Sequence, residues 1–406
     1  MTAADRRAAR VHRWRRRLWW SEVTASHKSL RRVVRALRKP WRAAQEARAA
    51  IRRQDLALAG ERGVTPAVQF MHQCWLRVRH DLPCDTYYRY DLHLPEQRAR
   101  ARRYVSHAEG ILLLTRLDAL VSPKDQAALA DKRTFLARCE ERGLPAVPIL
   151  ASYEGGQGTG PQAGPLPELP PCDLFVKPAL LFCGIGATRL RHLSGHRYEG
   201  PDGRRFTSVE LHTELARRSL DGPLVLQKCF VNDPRLLGLT GGGLATIRFV
   251  TLRRPEGGYE PLLAVLKLPI GASVVDNFAQ GNLAAPIDGA TGRLGVAVRK
   301  QGDAEIVRCA VHPDTGERIE GFMLPDWDAV IALAVRAHAA FAEMVSVGWD
   351  IALTDSGCLL VEGNDCWDVD LMQIPHRRPL GETRFAEIYD FFMKRAWVTR
   401  PARGHA

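Results

Sequence analysis

The spacing of hydrophobic positions changes character near residue 174. Before it, apolar residues recur at mixed threes and fours. RRAARVHRWRRRLWW and SLRRVVRALRKPWRAAQEARAAIRRQ read as helices, with Pro40 as a break, and residues 61–125 continue mainly helical into the run ILLLTRLDALV. A further helix is predicted from Pro123 through ALADKRTFLARCEERG, with Gly143 as its stop and LPAVPIL extended after it. The Gly/Pro cluster YEGGQGTGPQAGPLPELPPCD reads only as a loop or linker. From Leu174 short β-type runs dominate: LFVKP, PLVLQKCFV, ATIRFVTLRR, YEPLLAVLKLPI and the pair GWDIALT and CLLVEGN. Two helices interrupt them, SVELHTELARRSL and WDAVIALAVRAHAAFAEMV. Helices first and antiparallel hairpins later make the fold class α+β, and no internal repeat is present.

The last pair raises a chemical question. If Asp355, Ser356 and Gly357 form the hairpin loop, with Gly357 left-handed, then Thr354 faces Cys358 and Asp350 faces Glu362. Asn364 lies two residues further on, hence on the same face. Two carboxylates with Cβ atoms roughly 5 Å apart repel unless a proton or a cation intervenes. A wet surface hairpin is the other reading of the same residues.

Composition narrows the class. The chain has 406 residues, 46% hydrophobic and 25% charged, which suits a soluble protein of two or three domains. No apolar run is long enough to span a bilayer and no signal-peptide pattern follows the basic start, so a cytoplasmic location is expected. Nine scattered cysteines without a C-x-x-C pair read as reduced thiols. The net charge of +13 sits in one arm: residues 1–60 hold 17 Lys or Arg against 4 Asp or Glu, and the remainder balances at 41 against 41. Trp14, Trp19 and Trp20 beside seven arginines suggest contact with a polyanion or an anionic membrane surface through residues 1–60. The competing expectation is a basic helix packed on its own catalytic domain.

Several cations precede the acidic hairpin. Lys177 ends the strand LFVKP and is followed by Gly184 and Gly186, a way to grip a nucleotide's phosphates where backbone N–H groups approach closely. No GK[ST] follows, so this is no Walker loop, and an ordinary β-turn is the alternative. Lys132 lies at a helix start. Arg248 lies within ATIRFVTL and Lys267 on the partner strand across the PEGG turn, so the two cations sit roughly opposite and call for a bridging anion. Asp276 and Asn277 in VVDNFAQGN are ordinary turn formers or substrate contacts. The oxygen ligands Asp350, Glu362 and Asn364 suit Mg²⁺ carrying a nucleotide.

The order DKRTFLARCEERGLPAVP, LFVKP, LVLQKCF, TIRFVTL, DNFAQGN and GWDIALTDSGCLLVEGND resembles the ATP-grasp superfamily. The nearest likeness is to its sugar-transfer-associated members related to α-L-glutamate ligases, over roughly residues 100–395. The resemblance implies two α+β subdomains clasping ATP behind a helical basic N-terminal extension. It divides the chain into an arm (1–60), a helical region (61–125), a first subdomain (126–225) with the Gly/Pro loop 154–171, a second (226–395) with the metal hairpin, and a tail (396–406). It implies that Lys132 and Lys177 contact ATP phosphates beside Gly184 and Gly186, that Gln227, Lys228 and Phe230 line the adenine pocket, and that Asp233 lies near the ribose. Arg248, with Lys177, would be catalytic, and Lys267, Asp276 and Asn277 would approach substrate. Asp350, Glu362 and Asn364 would hold two Mg²⁺ ions, with Mn²⁺ as a substitute.

The expected activity is ADP-forming ligation of a small-molecule carboxylate to an amine through an acyl phosphate, an amino acid joining an amino sugar or another amino acid. Two alternatives stand beside it: an ATP-grasp kinase acting on a small molecule or sugar, and an ATP-regulated binding protein with a polyanion-binding arm. The acid, the amine and the oligomeric state are not legible in these residues.

Overall fold

The computed structural model describes residues 2–24, 39–53, 63–121, 123–180, 186–271, 276–302 and 305–398. Two antiparallel sheets organise the chain beyond Ala151. The first holds β1 (Ala151–Glu154), β2 (Gln157–Thr159), β3 (Leu174–Pro178), β4 (Thr188–Ser194), β5 (Arg197–Glu199), β6 (Arg205–Thr207) and β7 (Leu224–Lys228), in the order β2-β1-β7-β3-β4-β5-β6. The second holds β8 (Thr246–Arg253), β9 (Tyr259–Leu268), β10 (Leu283–Ile287), β11 (Ala297–Gln301), β12 (Glu305–Cys309), β13 (Ser346–Thr354) and β14 (Gly357–Asn364), in the order β12-β11-β10-β9-β8-β13-β14.

Among the described residues ten helices frame these sheets: α1 (Ala3–Thr24), α2 (Lys39–Arg52), α3 (Pro66–His80), α4 (His107–Val121), α5 (Pro123–Ala130), α6 (Lys132–Glu141), α7 (Ser208–Arg218), α8 (Trp327–Ala340), α9 (Val369–His376) and α10 (Phe385–Val398), besides short helical turns. The single helix expected from Pro123 is two. Asp131 leaves the helical region at φ −109°, ψ 120°, and its side chain accepts from the Arg133 N–H at 2.8 Å, so it caps α6. The Gly/Pro cluster is also not all loop. It opens as the β1–β2 hairpin, turning at Gly155 and Gly156, whose φ of 58° and 86° suit glycine. β4 to β6 and β10 to β12 were not expected either, because they are short, polar or paired through neighbours that local propensity does not encode.

The second sheet is covered on both faces. Ile247, Phe249, Leu266, Trp349 and Ile351 face a core shared with Val330 and Ala334 of α8 and with Phe135 and Cys139 of α6. Helix α6, grouped by the expected boundary at residue 126 with the first sheet, therefore packs on the second. The opposite face presents Val250, Leu252, Val265 and Ala284 to a core built from the N-terminal helices, Trp367 and α10. Since strand residues alternate, Thr246 and Arg248 share this second face with Val250 and stand at its open end. β13, central to both cores, has all nine residues buried.

The basic arm begins as a docked helix. Ala8, Val11 and Trp14 recur every three residues along α1 and are buried. Trp14 Nε1 donates to Asp390 Oδ1 of α10 at 2.9 Å, Arg7 Nε pairs with Glu387 at 2.6 Å, and Asp5 accepts from Arg103 Nε at 2.8 Å. Trp14 is thus core and unavailable for outside contact; the side chains of Trp19 and Trp20, and all of residues 25–38 and 54–60, lie outside the described residues. Among the described residues no helix is long and apolar enough to cross a membrane.

Because Trp14 is 2% exposed and hydrogen-bonded, Trp14→Ala should cost about 3–5 kcal/mol. Calorimetry should show a lowered unfolding temperature for that variant, and an unchanged one would mean that α1 is not anchored there.

Candidate active site

The acidic hairpin has the expected cross-strand pair by a different route. Thr354 pairs with Gly357 and Leu353 with Cys358, so the turn is one residue tighter than expected and Thr354 does not face Cys358. Gly357 keeps the expected positive φ, 98°. The register then shifts between Asp350 and Ile351: Ile351 pairs with Leu360, Asp350 with Glu362, leaving Val361 as the extra residue. Such a bulge re-aims side chains beside a site. Here it turns Glu362 and Asn364 onto the face of Asp350. Asn364 Nδ2 donates to Gly348 O at 3.2 Å and lies 3.4 Å from Glu362 Oε1, leaving its amide oxygen with no hydrogen bond among the described residues.

Asp350 also pairs sideways with Arg248 in β8. Arg248 Nε and Nη2 donate to the two carboxylate oxygens at 2.6 and 3.0 Å. Lys267 Nζ lies 3.3 Å from Asp350 Oδ2 and donates to Asp276 Oδ1 at 3.1 Å. Lys267 is registered with Thr246, two residues from Arg248, so the cations are diagonal on one face, not opposite. The anion between them is the protein's own Asp350. Burial alone would raise the Asp350 carboxyl, but Arg248 and Lys267 hold it well below the usual carboxylate range. Burial likewise opposes the charge on Arg248 and Lys267, and their carboxylate neighbours more than restore it.

Two lysines from the other side complete the cluster. Lys132 opens α6, whose first N–H donates to Ala179 O just beyond β3 at 3.1 Å, tying the helix start to the first sheet. Lys177 lies in β3, registered with Val225. Both are buried, at 8% exposure. Burial lowers the Lys132 ammonium, opposed by the nearby Glu362 and Asp131 carboxylates. Burial pulls Lys177 down to about 8, with Glu362 and Asp350 opposing and Lys132 reinforcing. Among the described residues the Lys177 ammonium has no hydrogen bond or ion pair, which is costly for a buried cation.

The other expected contacts differ in readiness. Gln227 is buried in β7 with its amide on Val147 O at 3.2 Å, and Lys228 Nζ stands 4.5 Å from the Phe230 ring centroid. Asp233 is held by its neighbour: Arg235 donates to its two oxygens at 2.9 and 2.6 Å, so a ribose would have to compete with a guanidinium. Gly186 has φ 75°, while Gly184 lies outside the described residues. Asp276 joins the charge cluster, and its second oxygen accepts from Thr246 Oγ1, a residue the sequence reading missed. Asn277 is a turn former: its Oδ1 caps Ala279 N at 3.0 Å.

Two glycines escaped notice in the sequence because their role is one of space. A Cβ on Gly348 would lie 2.6 Å from Trp367 Cβ and 3.1 Å from Arg248 Cδ, and one on Gly363 would lie 2.6 Å from Leu129 Cδ2. They let the ligand-bearing strands approach their neighbours. For a cation, Asp350, Glu362 and Asn364 offer oxygen donors only, the set a hard divalent ion prefers. His107, Asp368 and Asp370 form a second group whose ligand atoms lie within 4.8 Å of one another. Some of its oxygens are already engaged: Asp370 Oδ1 accepts from Tyr90 OH at 2.5 Å, and Asp368 Oδ1 caps α9 and meets His107 Nδ1 at 3.2 Å. A cavity of about 1070 Å³ lined by Asp288, Arg293, Arg318 and Glu320 includes none of the expected site residues.

Comparison with known proteins places this geometry. No curated protein matches the chain. Among solved structures, an ADP complex of N5-carboxyaminoimidazole ribonucleotide synthetase aligns at 12% identity over 59% of this chain and 45% of that one, TM-score 0.33. The chain therefore spans less than half the length of that protein. D-alanyl-alanine synthetase A from Vibrio cholerae aligns at 11% identity over 69% and 68%, TM-score 0.41. D-alanine–D-alanine ligase from Bacillus anthracis aligns at 12% over 70% and 75%, TM-score 0.38. These likenesses are too distant to carry an activity across. The sequence family described as sugar-transfer associated ATP-grasp matches residues 118–386, which include both sheets, the lysines and the acidic hairpin. The chain belongs to the sugar-transfer associated ATP-grasp family and has its α+β ATP-grasp fold.

Proposed function

We propose that the protein is an ATP- and Mg²⁺-dependent ligase that joins a carboxylate to an amine and forms ADP. The observation that carries this reading is the convergence of Lys132, Lys177, Arg248 and Lys267 on Asp350 and Glu362, with cations supplied by both sheets. In this reading Asp350, Glu362 and the free amide oxygen of Asn364 hold the metal. Bound there, Mg²⁺ neutralises charge on the triphosphate. Lys132 and Lys177 take the phosphate oxygens, and the Gln227–Phe230 segment receives the adenine.

Arg248 and Lys267 then have a second use. Each is paired with Asp350, and each would be available to an anion if Asp350 held a cation. The substrate carboxylate attacks the γ-phosphorus, the P–O bond to ADP breaks, and Arg248 faces the charge on the transferring oxygens. The amine nitrogen then attacks the acyl carbon, phosphate leaves, and the amine gives up its proton. An amino acid and an amino sugar, or two amino acids, are the substrate pairs this chemistry accommodates.

Purified protein should release ADP and inorganic phosphate only when acid and amine are both supplied. AMP and pyrophosphate as products would overturn the reading, and a stable phosphorylated product without an amine would make the enzyme a kinase. Glu362→Ala should reduce turnover at least about 100-fold, because it removes charge stabilisation where the triphosphate reacts; full activity in that variant would refute the assignment.

Lys177 offers an independent check. Its ammonium is buried without a hydrogen bond or ion pair among the described residues, so Lys177→Met should stabilise the unliganded protein by about 1–3 kcal/mol near neutral pH while weakening ATP binding. The sign follows from proton counts. With the folded value at about 8 and the ordinary value at 10.5, the unfolded chain binds more protons between them. The penalty is complete below pH 8 and fades as pH rises towards 10.5, so the stability gap between variant and parent should close over that range in thermal melts. ATP binding should likewise take up protons in that window, measurable by calorimetry in buffers of different ionisation enthalpy.

A further inference from the structure

Helix α3 is amphipathic in the reverse sense. Its buried side carries Gln69, Gln73 and Leu76. Both amides are held internally: Gln69 Nε2 donates to Val64 O at 2.7 Å, Tyr88 OH donates to Gln69 Oε1 at 2.9 Å, and Gln73 Nε2 donates to Tyr88 OH at 3.1 Å, while Gln73 Oε1 is buried without a hydrogen bond among the described residues. The outward stripe, at spacings of four, four and three, is Ala67, Met71, Trp75 and Val78. Met71, Trp75 and Val78 are 59, 52 and 42% exposed, and Trp41, at the start of the neighbouring α2, is 61% exposed. A surface helix normally turns polar side chains outward. A contiguous apolar stripe there marks a contact surface.

The surroundings of the stripe carry a net positive charge. Residues 39–53 and 66–81 together hold seven Lys or Arg and two carboxylates: Glu46, which Arg77 holds at 2.7 Å, and Asp81, which meets Arg77 at 2.6 Å and Lys39 at 3.6 Å. Tryptophan with aliphatic neighbours inside a basic border is the composition that enters the boundary between lipid headgroups and acyl chains. Nucleic acid would use the cations but gain nothing from Met71 and Val78. A second copy in two-fold contact would press a basic border against itself.

We propose that the face of α3 formed by Met71, Trp75 and Val78 seats this protein on an anionic lipid surface. The apolar side chains enter the interface and the basic border pairs with the headgroups. The contact expected of the basic arm thus lies on α2 and α3, while the first turns of α1 serve as internal packing. This inference is independent of the ligase reading.

The test is co-sedimentation of the full chain with vesicles of phosphatidylglycerol or of phosphatidylcholine, at low and high salt. Binding to the first and not the second, weakening with salt, supports the proposal. The double variant Met71→Glu, Trp75→Glu should lose at least about tenfold in binding. Arg42→Glu with Arg79→Glu should lose binding and most of the salt dependence. All four positions are exposed, so circular dichroism and the melting temperature should match the parent. No sedimentation with phosphatidylglycerol, or full binding by the Met71/Trp75 variant, would overturn the proposal. So would a dimer in sedimentation equilibrium that this variant dissolves, with no lipid binding in the parent, which would make the face a contact between copies.

Discussion

The ion pair between Arg248 and Asp350 is the interaction on which the candidate site depends. A carboxylate in the middle of a strand buried along its whole length is costly unless a cation meets it. Two do: Arg248 with both of its near nitrogens, and Lys267 from the next strand. That pairing lets three strands bring charge to one face of a sheet, which turns apolar at Val250 and Leu252.

The rest of the molecule divides the work. The second sheet supplies the paired charges on one rigid face, backed by the core beneath α8. The first sheet and α6 supply Lys177 and Lys132, buried where Glu362 acts on both. The N-terminal helices close the other end of the charged face with Val250 and Leu252 in their core. The docking of α1 on α10 through Trp14 and Asp390 therefore belongs to the support of the site, since the same core runs up to β8.

Local and non-local information separate clearly among particular residues. The runs around Lys177, Arg248 and Asp350 were legible because β-branched and aliphatic residues repeat there at strand spacing. The break at Asp131 could have been seen as a capping residue ahead of a helix. By contrast β4 to β6 carry mostly polar side chains and exist because β3 offers them an edge. The tight turn at Thr354 and the bulge at Val361 compensate each other, so the pairing of Asp350 with Glu362 could be named from sequence although the path between them could not.

The sequence alone determined the family order and the α+β fold, and it placed two carboxylates and an amide in the closing hairpin with cations upstream. Those are properties of residue type and spacing, which short-range geometry preserves. Only the tertiary structure decided that Asp350 is already shared by Arg248 and Lys267, that Asp233 is held by Arg235, and that Asn277 is spent on a turn. It also decided that Trp14 of the arm is core while Trp41 and Trp75 face outward. The physical reason is common to all of these. Whether a charged or aromatic side chain is free depends on what other strands and helices bring within hydrogen-bond distance, and that distance is set by packing of elements far apart in the chain.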